Sequence, residues 1–285
     1  MRRVDEEAIR EFTISKIVEE NPKVRTFVLS RPLISEDSPA NGSWAGKFVM
    51  LGLPDGGERP FSPSGIDQVT IRQMPRCEKK KDVPTFTERV FGLKEGDPVY
   101  VREVPCNGFS INYMHYTIIG GGIGLAPLRA AAQVLHGYSK EIGKTLRTRI
   151  FAGGRTKADV LFEKDFRTYG ELHIATEDGS GSPDYHGTVI DMMRSMPREK
   201  WKADGYMVCG PEKMMPAALD LINDYDSTQC SVERIIKCGI GICDSCDLDG
   251  LSVCNDGPVF RGSELKRNAD FGKYTRTKSG RRVPL

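Results

Sequence analysis

The sequence predicts a mixed β and α/β protein in three parts: an antiparallel β-barrel, a parallel-sheet α/β domain and a small C-terminal cysteine module. Three observations carry that prediction. Short β-forming runs separated by proline and glycine turns fill residues 10–112. From Tyr116 onward, short apolar runs alternate with helical stretches. Four of the eight cysteines, Cys238, Cys243, Cys246 and Cys254, then fall within seventeen residues. The expected divisions are 1–112, 113–225 and 226–285.

The barrel strands can be read in order. Glu11-Phe-Thr-Ile-Ser-Lys-Ile-Val alternates apolar with polar residues, and Val24-Arg-Thr-Phe-Val-Leu is rich in β-formers. Gly46-Lys-Phe-Val-Met-Leu-Gly-Leu, Asp67-Gln-Val-Thr-Ile-Arg and Asp97-Pro-Val-Tyr-Val-Arg follow. Pro54-Asp-Gly-Gly, Pro63-Ser-Gly and Glu95-Gly-Asp-Pro punctuate them. Strands at this spacing fit an antiparallel barrel, with one helix expected between Thr87 and Leu93.

The second part repeats a strand followed by glycine. Tyr116-Thr-Ile-Ile runs into Gly120-Gly-Gly-Ile-Gly and an alanine-rich helix expected over Leu128 to Tyr138. Arg149-Ile-Phe-Ala-Gly-Gly, Leu172-His-Ile-Ala-Thr and Tyr206-Met-Val-Cys-Gly-Pro repeat the pattern, with helices expected over Val189–Met196 and Lys213–Tyr225. Such alternation implies parallel strands joined by helical crossovers, which bind ligands beyond the strands' carboxyl ends. Beyond residue 226 apolar periodicity fades, and Arg261 to Leu285 carries eight Lys/Arg against two acids. That tail reads as a solvated or partner-covered extension rather than a nucleic-acid segment.

Composition narrows the function classes. A chain of 285 residues has room for about two domains. Its 39% hydrophobic and 28% charged residues are ordinary for a globular protein and argue against a disordered or fibrous one. With 41 Lys+Arg against 39 Asp+Glu, the net charge of +2 demands neither a nucleic-acid nor a membrane-surface partner. The most apolar long stretch, Tyr116 to Leu135, contains four glycines, Pro127 and Arg129, which is wrong for a simple membrane span. Met1-Arg-Arg-Val-Asp-Glu-Glu turns acidic at once and lacks the apolar core of a secretory signal, so a cytoplasmic location is expected.

The cysteine cluster is the most specific chemical signal. Cys77, Cys106, Cys209 and Cys230 are scattered, whereas Cys238-x4-Cys243-x2-Cys246-x7-Cys254 opens as plant-type [2Fe–2S] loops do. A loop that wraps an iron–sulfur cluster must turn backbone N–H groups toward sulfur, and Gly239 and Gly241 permit the angles this needs. A zinc ribbon would show two C-x2-C knuckles; this run has one, so the spacing favours iron–sulfur over structural zinc and over disulfides. Asp244, Asp247 and Asp249 either lower the reduction potential of such a cluster or simply face solvent.

Three further motifs are weaker alone. Arg59-Pro60-Phe61-Ser62 offers an arginine able to pair bidentately with a diphosphate and a hydroxyl able to reach a flavin ring, though a surface turn fits as well. A helix starting near Thr87 would aim N–H groups at the same diphosphate. Gly120-Gly121-Gly122-Ile123-Gly124-Leu125-Ala126-Pro127 lacks the G-x-G-x-x-G spacing; it fits a close nucleotide approach and a tight strand–helix turn equally. In Val208-Cys209-Gly210-Pro211, Cys209 either faces a nicotinamide or is a buried strand-end thiol, while Met214 and Met215 read as core. His115, His136, His173 and His186 show no ligand spacing.

In this order the motifs resemble the ferredoxin-reductase-like flavoproteins, and within them the electron-transfer subunits of NAD-dependent (type B) dihydroorotate dehydrogenases. The resemblance covers about residues 10–262 and is strongest in Arg59-Pro-Phe-Ser-Pro-Ser-Gly and in Lys237-Cys-Gly-Ile-Gly-Ile-Cys-Asp-Ser-Cys running into Val253-Cys-Asn-Asp-Gly-Pro-Val-Phe260. It implies an FAD-binding barrel, an NAD(P)-binding α/β domain and a [2Fe–2S] module. It assigns Arg59, Pro60, Phe61, Ser62, Ile71, Arg72 and Thr87 to FAD. Gly122, Ile123, Gly124, Ala126, Pro127, Cys209, Gly210 and Pro211 fall to the pyridine nucleotide, and Cys238, Cys243, Cys246 and Cys254 to the cluster. Three departures stand out: Phe86 replaces the family's glycine before Thr87, the spacer before Cys254 is shorter than in many bacterial relatives, and the resemblance assigns no counterpart to the tail beyond Gly262.

The implied function is electron transfer through FAD and a [2Fe–2S] cluster. The route runs between an FMN-bearing TIM-barrel dihydroorotate dehydrogenase subunit and a pyridine nucleotide in pyrimidine biosynthesis, within a heterotetramer. No catalytic acid, base or nucleophile is expected. Arg155 and Lys157 fit either a 2′-phosphate contact or plain surface charge, so NAD and NADP both stay open. A related alternative is the FAD/[2Fe–2S] subunit of a hydrogenase or ferredoxin:NADP oxidoreductase. An alternative of another class is a zinc-stabilised binding module without cofactors.

Overall fold

Alternating side chains and turn residues build the first sheet as the sequence leads one to expect. The computed structural model describes residues 9–34, 44–76, 82–181 and 183–285; Cys77 and the N-terminal run through Glu7 lie outside them. Strands β1 (Ile9–Asn21), β2 (Val24–Leu29), β3 (Val49–Gly52), β4 (Glu58–Phe61), β5 (Pro63–Gly65), β6 (Gln68–Arg72) and β7 (Pro98–Glu103) pair antiparallel in the order β4-β3-β7-β1-β2-β6-β5. The two edge strands, β4 and β5, are consecutive in the chain and meet at Ser62, which brings the sheet round on itself. Pro60 and Pro63 sit on these edges, where a missing N–H breaks no ladder. Phe12, Ile14, Phe27, Val49, Leu51, Val69, Ile71 and Val101 fill the interior.

Helix α1 (Phe86–Phe91) precedes β7. It starts one residue before the expected Thr87, because Thr85 caps it: the Thr85 hydroxyl accepts from the Glu88 N–H, and the Glu88 carboxylate accepts from the Thr85 N–H.

The second sheet holds β8 (His115–Gly121), β9 (Arg147–Gly154), β10 (Glu171–Thr176), β11 (Tyr185–His186), β12 (Gly205–Cys209) and β13 (Thr228–Ser231), all parallel. Helices α2 (Leu125–Glu141), α3 (Glu163–Tyr169), α4 (Val189–Ser195) and α5 (Met214–Ile222) cover it. Helix α2 begins three residues earlier than the sequence suggests. Pro127 is tolerated there, since first-turn N–H groups have no intrahelical partner.

The C-terminal part differs most from expectation. After the cysteine loop and its small β14 (Asp247–Leu248)–β15 (Leu251–Ser252) hairpin, β16 (Val259–Arg261) joins the second sheet antiparallel to β13. A division after residue 225 therefore cuts a sheet that continues through both strands. Nor is the tail a solvated extension. Helix α6 (Gly262–Arg267) and the hairpin β17 (Tyr274–Arg276)–β18 (Arg282–Pro284) fold back, burying Leu265 and Phe271 in the core that also holds Cys246 and Cys254. Among the described residues, no helix is long and apolar enough to cross a membrane.

Candidate cofactor crevice and cysteine loop

Three chain segments converge where the two sheets meet. The first is β4 with Ser62. Arg59 is exposed, and among the described residues it joins no ion pair; its guanidinium donates to the neighbouring Glu58 carbonyl at 2.6 Å and lies 5.6 Å from the Phe86 ring. Phe61 stacks on Phe86 at 6.1 Å, so the residue that replaces the family's glycine braces both Arg59 and Phe61. Thr87 is buried, and its hydroxyl accepts from the Met74 N–H at 2.8 Å. Arg59, Phe61, Phe86 and Thr87 are thus brought together.

On β6 the two predicted residues part. The Ile71 side chain is fully buried in the barrel core, so it offers a ligand no side-chain contact, whereas Arg72 points across the crevice to Asp159, 3.5 Å away. Arg72 also lies 3.5 Å from where a Cβ on Gly122 would be, and Gly122 has φ +54°. This glycine stands at the mouth between the two sheets.

The second segment pairs the turn after β8 with the turn after β12. A Cβ on Gly124 would lie 2.6 Å from both the Cα and the N of Gly210, so the two turns touch backbone to backbone. Pro211 and Met214 cover Gly121 in the same way, while Met215 is core. Ala126 and Pro127 are buried in α2, and Ile123 is partly buried against the core beneath it. The tight-turn reading therefore accounts for Gly124, and close ligand approach is left to Gly122. Cys209 ends β12 at 9% exposure, and burial pushes its thiol up to about 12, with Ser231 opposing. It is a neutral thiol at physiological pH.

The third segment is the cysteine loop. Gly239 and Gly241 take φ of +70° and +75°, the left-handed angles that the wrapping required. Ile240 N–H points at the Cys238 sulfur at 3.5 Å, Gly241 N–H at Cys254 at 3.2 Å, and Cys254 N–H at Cys246 at 3.4 Å. The thiols act on one another chiefly in two pairs, Cys243 on Cys238 and Cys254 on Cys246. Burial opposes ionisation of Cys238, but the N–H groups of Ile240 and Ile242, with the thiol and N–H of Cys243, outweigh it and bring the thiol down to about 7. The Cys254 thiol draws Cys246 down to about 7, and the same contact together with burial holds Cys254 protonated.

Among the described residues, no three His, Cys, Asp or Glu side chains converge on one metal position. Two sulfur pairs with N–H groups aimed at sulfur fit a two-metal cluster in which each iron takes two thiolates. The seven described cysteines are free.

Two residues that the sequence does not flag tie these segments together. Arg102 on β7 grips Glu58, next to Arg59, at 2.6 Å and donates to the Cys238 carbonyl at 2.9 Å. Met50 pairs in register with Pro60 on β4 and lies 3.5 Å from where a Gly239 Cβ would be. The cysteine loop is therefore fastened to the barrel strands that carry Arg59 and Pro60. An arginine in a β-strand carries no motif, so only the fold reveals it. The histidines serve ordinary contacts, such as His115 with Asp204 and His173 against Phe151.

Two family models match parts of this chain. Residues 233–266 match the family model described as the iron-sulfur cluster binding domain of dihydroorotate dehydrogenase B. Residues 118–220 match the oxidoreductase NAD-binding domain. The chain is 36% identical over 273 residues to a protein of Methanocaldococcus jannaschii named as a probable dihydroorotate dehydrogenase B (NAD(+)), electron transfer subunit, covering 95% of this chain and 96% of that one. It is 38% identical over 278 residues to a protein of the same name from Methanocella arvoryzae, covering 96% and 98%. Among solved structures, an NADH-dependent reduced ferredoxin-NADP oxidoreductase superposes with a TM-score of 0.69 at 23% identity, covering 89% of this chain and 88% of that one. A ferredoxin NADP+ reductase from Neisseria gonorrhoeae with bound FAD and NADP superposes at 0.56 and 13% identity, covering 76% and 91%.

Proposed function

The chain belongs to the family of dihydroorotate dehydrogenase B electron transfer subunits, and from that membership we propose how its residues pass electrons between a catalytic subunit and a pyridine nucleotide. The observation that carries the reading is Arg102, which joins the Arg59 strand to the first cysteine of the loop. One side chain holds two carrier sites against each other.

The residues fit an FAD in the crevice and a [2Fe–2S] cluster in the loop. Arg59, exposed and joined to no acid among the described residues, would hold the diphosphate, with Phe86 fixing its guanidinium plane. Ser62, at the bend between the edge strands, would hydrogen-bond the ring, and Thr87 would contribute its hydroxyl hydrogen. Gly122, Cys209, Gly210 and Pro211 would border the nicotinamide nucleotide at the carboxyl ends of the parallel strands. Cys238 with Cys243 would take one iron and Cys246 with Cys254 the other. A bound flavin converts a hydride's electron pair into the single electrons that an iron–sulfur centre handles. The chain itself positions carriers, and none of its side chains acts as acid, base or nucleophile.

The partner is a dihydroorotate dehydrogenase catalytic subunit. We assign it an FMN-bearing TIM barrel, two copies joining two of this chain in a cytoplasmic heterotetramer of pyrimidine biosynthesis. The test is to purify the complex anaerobically. It should show flavin absorbance, a rhombic EPR signal on reduction, and dihydroorotate-dependent reduction of NAD. A chain lacking flavin and cluster, or one holding zinc without iron, would overturn the reading. We take NAD as the nucleotide from the relatives' name, and reduction of NADP alone would overturn that choice.

A further inference from the structure

The tail beyond Gly262 carries none of the cofactor motifs, yet it is bound to the cysteine loop at several points. Asn268 donates to the Leu248 carbonyl at 2.8 Å, the Ala269 N–H donates to Asp249 at 2.8 Å, and Lys237 donates to the Lys278 carbonyl at 2.9 Å. The hairpin is anchored from the other side. Arg234, whose side chain is 1% exposed, pairs with Glu212 and donates to the Tyr274 carbonyl at 3.3 Å, while Glu212 also accepts from the Gly272 N–H at 3.0 Å.

One of these contacts joins two charged side chains, Arg276 and Asp247. Asp247 directly follows Cys246, and its carboxylate accepts from both Nε, at 3.1 Å, and Nη2 of Arg276. The two side chains are only 28% and 18% exposed. Arg276 also donates to the Gly280 carbonyl at 3.2 Å, which fixes it within its own hairpin. Between the hairpin turn and the loop lies a cavity of about 400 Å³, lined by Cys243, Asp244, Asp247, Arg276 and Lys237 among others.

A four-thiolate cluster is already anionic, and each uncompensated acid beside it makes adding an electron harder. Asp247 would act in that direction. Arg276 brings a fixed positive charge to the same place, partly shielded from water and hence weakly screened. We propose that the C-terminal hairpin is a tuning arm: Arg276 neutralises Asp247 and holds the cluster's reduction potential above the value that the acid-rich loop alone would set. Arg276 is a positioning and charge-compensating residue, outside the ligand set. The inference rests on the cysteine loop holding the [2Fe–2S] cluster.

The experiment is an EPR-monitored redox titration of the purified holoprotein. Arg276→Leu should lower the one-electron equilibrium constant for reduction about tenfold, a fall of about 59 mV. Arg276→Lys, which keeps the charge, should recover most of it. Asp247→Asn should raise the potential, and the Arg276→Leu/Asp247→Asn double variant should return near the parent value. An Arg276→Leu potential equal to that of the parent, or Arg276→Lys behaving like Arg276→Leu, overturns the proposal. If Arg276→Leu fails to retain its cluster, Asp247→Asn decides, and an unmoved potential there overturns it. A parent protein without any cluster signal brings down the functional reading first and this inference with it.

Discussion

Arg102 donates to the carbonyl of Cys238 at 2.9 Å while the same guanidinium holds Glu58, one residue before Arg59. The barrel and the cysteine loop are therefore coupled through one side chain that is 11% exposed. Arg102→Met would keep the stem that packs there and remove both charged contacts. Glu58 is partly exposed, so the cost should fall below that of breaking a fully buried pair, about 2 kcal/mol. The expected outcome is faster cluster loss on dilution, with flavin absorbance retained. Unchanged cluster content and thermal stability would show that the contact holds nothing.

Two glycines on the same stretch of chain should respond oppositely to alanine. A Cβ on Gly124 would meet Gly210 backbone at 2.6 Å, and backbone yields poorly, so Gly124→Ala should push the two turns apart. We expect a loss of about 1–3 kcal/mol and a raised KM for the pyridine nucleotide. Gly137, inside α2, has open space around a Cβ, so Gly137→Ala should stabilise by up to about 1 kcal/mol with kinetics unchanged. Denaturant midpoints and steady-state diaphorase assays on the two variants decide it.

Phe86 stands where the resemblance expects a glycine before Thr87. The structure gives the residue work: it stacks on Phe61 and carries Arg59 and Arg89 over its ring. Phe86→Gly should therefore loosen Arg59 and cost about 1–2 kcal/mol, since the ring is half-buried. Retention of FAD on desalting should fall. Tighter retention would mean that Phe86 obstructs the diphosphate site instead of bracing it.

What the sequence made legible is what repeats or keeps a fixed spacing. Alternation located β1, a run of β-formers located β2, glycine after an apolar run located the turns following β8 and β12, and the cysteine spacing located the loop. Strands β13 and β16 were hidden because they are four and three residues long and gain their stability from each other and from β12, not from local pattern. The tail was misjudged for a related reason. Its basic residues find acids far away in the chain, as Arg276 finds Asp247 and Lys266 finds Asp220. Charge pairing of that kind leaves no periodicity to read.

Burial makes a last, chemical prediction. Cys106 is raised to about 11 and Cys209 to about 12 by burial, against about 9 for a thiol in the unfolded chain. Both bind their protons more tightly folded than unfolded, so the stability they contribute is whole below pH about 9 and is lost as the pH climbs toward 11–12. At pH 8 both remain neutral thiols, which are poor nucleophiles. Iodoacetamide should leave them unlabelled in the native holoprotein and modify them at once in urea. Between pH 8 and 10.5 the urea midpoint should fall more steeply in the parent than in the Cys106→Ala/Cys209→Ala variant, by up to about 1.4 kcal/mol per pH unit for each thiol. Labelling of native Cys209 at pH 8 at the rate of a free thiol would mean that the end of β12 is open to solvent, and the nicotinamide side of the crevice would have to be redrawn around an accessible sulfur.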